Sequence, residues 1–243
     1  MSAPDQSPVP RGRRVYGADI GIILLDTDLP RPVGDLANAR TLGFPVHYAP
    51  TTGAPVRQVV EQAADGLLDD FLATGRWLLD LGARALATSC GFLAIYQREL
   101  ASALPAPVAT SSLLQIPLVL RLLQPDERVA VLTINGSTLS PAHFEGVGVT
   151  GRQRERVQVI GLEHTDHLYP VIVGRHGPLD VERARAEVVD VCRRAVSGTP
   201  EIGAFVFECT NLPPYAQSVR DATGRPVWDA VTLVRWLREG VSS

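Results

Sequence analysis

The chain has 243 residues, a formal net charge of −3, 20% charged and 45% hydrophobic side chains, which is ordinary globular usage and long enough for one large domain or two small ones. All 23 basic residues are arginine. Without lysine there is no lysine Schiff base for pyridoxal chemistry, no Walker-type phosphate loop and no lysine general base.

In chain order, the first 14 residues are rich in Pro, Ser and Arg, lack the apolar core of a secretion signal and read as a disordered leader over 1–14. Short apolar runs then predict strands at Ile20–Leu25, Phe44–Tyr48, Ala85–Thr88, Pro107–Thr110, Arg128–Thr133, Val157–Leu162, Ala204–Phe207 and Pro226–Trp228. Several are nearly continuous in apolar residues, as parallel strands buried on both faces should be. Amphipathic stretches separate many of them: Leu67 to Leu81, closed by Gly82; Leu93 to Leu104, closed by Pro105; and Val181, Ala184, Val188, Cys192 and Ala195, which share one helix face. Strand–helix alternation implies an α/β protein with parallel sheets. No apolar stretch reaches the roughly 18 residues of a membrane helix. The mild acidity and the short basic run Arg152, Arg154, Arg156, interrupted by Glu155, give no electrostatic case for nucleic acid. Three cysteines argue against a disulfide framework and for a reducing cytoplasm.

Two of those cysteines carry the strongest chemical signal. Ala85-Leu-Ala-Thr-Ser-Cys90 and Ala204-Phe-Val-Phe-Glu-Cys209 are both strand-like, both end on cysteine and both precede a helical pattern. Ligands of parallel sheets bind at the carboxyl ends of strands, and a helix N-terminus lowers a thiol pKa. Free cysteines are also common small core residues. Cys192, on an apolar helix face, reads as one of these.

The segments Thr88-Ser-Cys-Gly-Phe92 and Glu208-Cys-Thr-Asn-Leu-Pro-Pro214 resemble the two cysteine motifs of the aspartate/glutamate racemase superfamily, which also holds hydantoin racemases, maleate isomerases and arylmalonate decarboxylases. Asp26-Thr27 and Thr133-Ile-Asn-Gly-Ser-Thr138 resemble further motifs of that superfamily. The resemblance runs from about Val15 to the C-terminus. It implies two similar α/β domains, each a parallel sheet flanked by helices, with the active site in the cleft between them. The crossings fall near Ser112 and Asn211, giving a first domain of residues 15–112 plus 212–243 and a second of 113–211. The family's members are often dimers, so a homodimer is the implied assembly. Three departures count against glutamate and aspartate as substrates: Gly91-Phe92 stand where the racemases usually have Asn-Thr, Glu208 stands where they usually have Gly, and no lysine is present to hold a substrate carboxylate.

The implied chemistry is cofactor-independent inversion of a carbon next to a carboxyl group in an amino acid or related small carboxylate. Cys90 and Cys209 act as paired base and acid. The same cleft supports maleate-type isomerisation, arylmalonate-type decarboxylation, or small-molecule binding without turnover. With no pyridoxal sink, fixed donors must stabilise the carbanion. Candidates are Ser89, Thr133, Ser137, Thr210 and Asn211, with backbone N–H groups after each cysteine. Each of these polar residues reads equally well as a helix cap. Gly91 and Phe92 line the site in this reading. Asp26 is a candidate to orient or deprotonate a substrate amine or a thiol, or is a plain turn residue, and Arg31 is the nearby candidate carboxylate binder, or an ordinary surface arginine. The polar stretch Arg31–Phe44 is a candidate flap. Glu163-His-Thr-Asp-His167 looks like a ligand set, but its spacing is unspecific. It reads as a solvated strand-end loop rather than a metal site, with His164 as helper acid a third option.

Overall fold

A computed structural model of the chain describes residues 11–52, 66–174 and 176–242. Most of the expected leader lies outside these residues. Residues 11–14 are exposed, with Arg13 paired to Asp19 at 3.3 Å.

Each predicted apolar run is a strand: β1 Ile20–Leu24, β2 Val46–Pro50, β3 Ala85–Thr88, β4 Val108–Ala109, β5 Arg128–Thr133, β6 Val157–Gly161, β7 Ile202–Phe207 and β8 Val227–Trp228. They form two four-stranded parallel sheets, ordered β2-β1-β3-β4 and β6-β5-β7-β8. The protein is thus α/β, with two similar domains. Every residue of β3 and β7 is buried, because helices cover both faces. β2 lies two residues later than its apolar pattern suggests, where Val46 and Pro50 pair with Ile20 and Leu24.

The helices are α1 Leu68–Leu81, α2 Gln97–Ala103, α3 Ile116–Leu122, α4 Pro141–Gly146, α5 Gly151–Glu155, α6 Leu168–Ile172, α7 Val181–Gly198, α8 Ala216–Thr223 and α9 Ala230–Val241. α1 buries Phe71 and Leu78 and ends at Gly82, whose φ of 125° no L side chain adopts comfortably. α7 starts at Asp180, whose carboxylate accepts from the N–H groups of Glu182 and Arg183, and it buries Ala184, Val188 and Cys192. Cys192 is therefore a core residue. The segment from Leu93 to Leu104 is not one helix. A 3₁₀ turn over Gly91–Tyr96 feeds α2.

In each sheet the chain steps from the central strand to one neighbour and then to the other side. Crevices therefore open at the carboxyl ends of β1 and β3 and of β5 and β7. The chain leaves the first sheet through a 3₁₀ turn at Ser112–Gln115, where the Ser112 hydroxyl donates to the Phe207 carbonyl. Its return comes later than the expected crossing near Asn211. β8 pairs with β7 (Phe205 with Val227, Val206 with Trp228) and α8 packs on α7, so residues 212–228 belong with the second sheet. A two-residue edge strand carries no pattern that says which sheet it joins. α9 alone crosses back to cover β3 and β4, its Val231, Val234 and Leu237 meeting Ile20, Ile22, Ala85 and Ala87. The two crossings hold each other: Gln115 Nε2 donates to the Asp229 carbonyl at 3.0 Å, and Thr232 Oγ1 donates to Gln115 Oε1 at 3.0 Å. Among the described residues no helix is long and apolar enough to cross a membrane.

Asp229 caps α9, its carboxylate accepting from Thr232 N–H at 2.8 Å while the Thr232 hydroxyl accepts from the Asp229 N–H. Asp229→Ala should lower unfolding stability in urea by about 1–2 kcal/mol, the usual cost of losing such a cap.

Candidate active site between the sheets

β3 and β7 aim their carboxyl ends at one another. Beyond β3 the chain bends at Ser89, and Cys90, in extended conformation, opens the 3₁₀ turn. Beyond β7 come Glu208, Cys209 and Thr210. The Thr210 hydroxyl donates to the Ser89 carbonyl and ties the two ends together. Thr88 Oγ1 donates to the carbonyls of Thr110 at 2.6 Å and Cys90 at 3.1 Å, which fixes the first cysteine's backbone. Ser89 Oγ accepts from Leu25 N–H at 3.2 Å.

The pocket between these ends is lined by Cys90 and Cys209 together with Arg31, Ser89, Gly91, Phe92, Thr210 and Asn211, walled by Leu25, Leu29, Ile134 and Ile172, with Glu208 at its floor. Eight of the eleven residues singled out from the sequence therefore line one pocket. Thr133 stands behind it and donates to Glu208 Oε2 at 2.7 Å. Two others lie elsewhere. Asp26 is exposed and off the pocket wall, because the chain turns outward after β1. Ser137 is exposed too, and its hydroxyl donates to Asn135 Oδ1 at 2.7 Å within a surface turn. The carboxylate near Cys209 is instead Asp35, in the stretch expected to be a flap. That stretch is anchored by Asp35 and Leu36, both fully buried, and by Leu42, while Val33, Ala39, Arg40 and Gly43 are exposed.

A continuous polar chain runs from the second thiol. Cys209 Sγ donates to Asn211 Oδ1 at 3.6 Å, Asn211 Nδ2 donates to Asp35 Oδ2 at 2.7 Å, and Arg31 Nη1 reaches Asp35 Oδ1 at 3.3 Å. Arg31 Nη2 also donates to Thr27 Oγ1 at 3.0 Å. Burial raises the Asp35 pKa against the pull of Arg31.

Glu208 is the residue that sequence reasoning noted only as a departure. It is fully buried, its Oε2 takes the Thr133 hydroxyl, and its Oε1 has no partner among the described residues. Burial pushes its pKa up to about 8, so the carboxyl is neutral at pH 7. The signal was present: one acidic residue directly after six apolar ones. Gly91 answers to it, since a Cβ there would fall on the Glu208 carbonyl and carboxyl oxygens.

Burial raises both thiols, Cys90 to about 12 and Cys209 well above its ordinary value, and the charge of Glu208 adds to both once it ionises. The expected easy thiolates are thus absent from the pocket. Desolvation outweighs the N–H groups of Phe92 and Leu93, which pull the Cys90 pKa down.

The Glu163–His167 loop is used structurally. Glu163 Oε2 accepts from Gly136 N–H at 3.2 Å and His167 Nε2 accepts from Asp180 N–H at 2.9 Å. His164 lines a separate polar pocket with Asp166, Glu187, Asp190 and Arg194, not the cysteine pocket. Among the described residues, no group of three or more His, Cys, Asp or Glu is placed to hold a metal ion.

Gly91→Ala should destabilise the protein by roughly 1–3 kcal/mol in urea titrations, as overpacking against backbone does. Glu208 gives a pH-dependent prediction. Its folded pKa exceeds its unfolded value, so the stability it contributes is present below about pH 4.5 and lost as pH rises toward about 8. Glu208→Gln should therefore leave Tm nearly unchanged at pH 4.5 and raise it by roughly 5 °C or more at pH 8.5.

No protein-family profile matches the chain. Its sequence is similar to dimethylsulfoniopropionate lyase 6 of Emiliania huxleyi, 31% identical over 221 residues that cover 88% of this chain and 57% of that protein. A dimethylsulfoniopropionate lyase of Durusdinium sp. clade D is 26% identical over 244 residues, 96% of this chain and 78% of that protein. The chain thus spans little more than half the length of the first and over three quarters of the second. In structure it is similar to allantoin racemase from Klebsiella pneumoniae (TM-score 0.65, 18% identity, 92% of this chain and 88% of that one). It is also similar to a glutamate racemase from Bacillus anthracis (0.58, 16%, 92% and 83%) and to arylmalonate decarboxylase (0.56, 18%, 92% and 94%). The chain thus shares its two-domain α/β fold with these racemases and with the decarboxylase.

Proposed function

We propose that the protein is a cofactor-independent enzyme that removes a proton next to a carboxylate and expels a β-substituent, a lyase acting on dimethylsulfoniopropionate or a close β-sulfonium carboxylate. The observation that carries this reading is the charge inventory of the pocket, in a chain related to dimethylsulfoniopropionate lyases. Two thiols and Glu208 line it, Asp35 stands behind Asn211, and Arg31 is the single cation among the described lining residues. Arg31 is already paired with Asp35. Such a site disfavours a dianion such as a malonate and favours a zwitterion that brings its own positive charge. The sulfonium also adds a second cation to the one the protein supplies, Arg31, whose charge already pulls the Cys90 pKa down, and so favours the thiolate further.

Cys90 is the candidate base, because two backbone N–H groups favour its ionised form. Its thiolate takes the proton from the carbon next to the carboxylate, which Arg31 orients. The electron pair left on carbon forms the new C=C bond as the C–S bond breaks. Dimethyl sulfide leaves with the C–S pair, and acrylate remains. Elimination takes no proton from Cys209, whose S–H donates to Asn211; Cys209 is the candidate acid only where the carbanion is reprotonated, in the racemisation reading. Three free cysteines support a reducing cytoplasm, and a homodimer remains the assembly implied by the resemblance.

Racemisation in the same cleft is the second reading, supported by the presence of both thiols, since elimination needs only one. The two part on the product. With dimethylsulfoniopropionate in deuterated buffer, a lyase releases dimethyl sulfide; a racemase acting on a chiral carboxylate incorporates deuterium at the α-carbon with no loss of substituent. Cys90→Ala should lower kcat at least ~10³-fold, and Cys209→Ala by less. Undiminished dimethyl sulfide release by both variants would sink the cysteine assignment.

A further inference from the structure

Glu208 has a place in the pocket that neither the thiols nor Arg31 explains. A buried carboxyl with one oxygen unpartnered costs stability unless it is used. Thr133 donates its hydroxyl proton to Oε2, which makes Oε2 the acceptor and leaves Oε1 as the oxygen able to carry the proton. Oε1 has no acceptor among the described residues, and Glu208 forms part of the pocket wall with Cys90 and Cys209. Gly91 leaves the space that this carboxyl occupies. We propose that Glu208 is a third catalytic group, a neutral carboxyl whose Oε1–H donates a hydrogen bond to the substrate carboxylate as the α-proton leaves.

The inference rests on the proton-abstraction reading above. As the thiolate takes the α-proton, the electron pair left behind spreads into the substrate carboxylate, which gains negative charge. The Glu208 hydrogen bond strengthens with that charge, and the proton stays on Glu208 throughout. The pair then returns to form the C=C bond, and the sulfur leaves with its own pair. Nothing is oxidised or reduced. Arg31 meets the substrate carboxylate as a permanent charge, while Glu208 responds to charge that develops only during reaction, which is what raises kcat rather than affinity.

The titratable and charged groups around Glu208 are Cys90 and Cys209 beside it, Arg31 across the pocket, Asp35 behind Asn211 and His143 behind Phe92. The thiols and His143 remain neutral near pH 8 by burial, so Glu208 is the group expected to change state there. Ionisation removes its donor and raises both thiols.

The test uses the full chain with dimethylsulfoniopropionate. Glu208→Ala should lose about 10²-fold in kcat, the usual cost of one such donor, and Glu208→Gln, which keeps a neutral N–H donor, about tenfold. In the wild type, kcat/KM should rise with pH and break near pH 8, and in Glu208→Gln the break should vanish. A break that persists in Glu208→Gln, or an alanine variant within threefold of wild type, overturns the inference. If the wild type releases no dimethyl sulfide, the lyase reading has failed on its own account, and infrared spectroscopy still decides about Glu208. A protonated-carboxyl band at pH 7, absent from Glu208→Gln and shifted by added propionate, supports it. A missing or unmoved band refutes it.

Discussion

The close approach of two strand ends governs this molecule. β3 and β7 come from different sheets, yet the Ser89 carbonyl accepts from the Thr210 hydroxyl and Gly91 lies against Glu208 with no room for a Cβ. That contact sets the width of the pocket. It puts one thiol on each side, because each cysteine stands just past the end of its strand. It also excludes water from the floor, so every acidic group there is desolvated. The raised pKa of Glu208 and the raised thiols have that same first cause.

Desolvation makes the site electrically quiet. With Glu208 neutral and both cysteines as thiols, the one full charge among the described lining residues is Arg31, and Asp35 answers it. A ligand that carries both signs can enter without leaving either end uncompensated, whereas a dianion would face two thiols and two acids with one shared arginine. The absence of lysine fits the same pattern. A lysine at the floor would hold Glu208 ionised and fill the role that a substrate cation can take.

Much of this was legible in the sequence, and the limits have physical reasons. The inner strands β1, β3, β5 and β7 are almost wholly buried and leave near-continuous apolar runs; the edge strands β2 and β6 are mostly half-buried, and the β2 run was legible only to within two residues. The paired strand–cysteine endings brought both thiols to one pocket, and Arg31 joined them. Sheet membership of β8 was not visible, because two residues carry no periodicity and pairing is a long-range event. Asp26 looked like the site carboxylate because it ends β1. Asp35 took that place because the chain folds back and buries it beside Asn211. Glu208 stood out as an acidic residue after six apolar ones, but its meaning depends on a neighbour 117 positions away, Gly91, that only the fold supplies.

Proton removal next to a carboxylate is the common first half of racemisation and β-elimination, so a single fold can serve both. The second half is decided by the lifetime of the carbanion and by the group it meets. A second thiol poised to reprotonate returns the substrate or its mirror image. A β-sulfonium needs no encounter in order to leave, because the departing group is already attached to the reacting carbon skeleton. In this pocket the second thiol is held by Asn211, its S–H turned to an acceptor within the protein. A thiol so directed must turn away from Asn211 before it can reprotonate a carbanion. Under the lyase reading proposed above, that turn is the step with which departure of the leaving group competes.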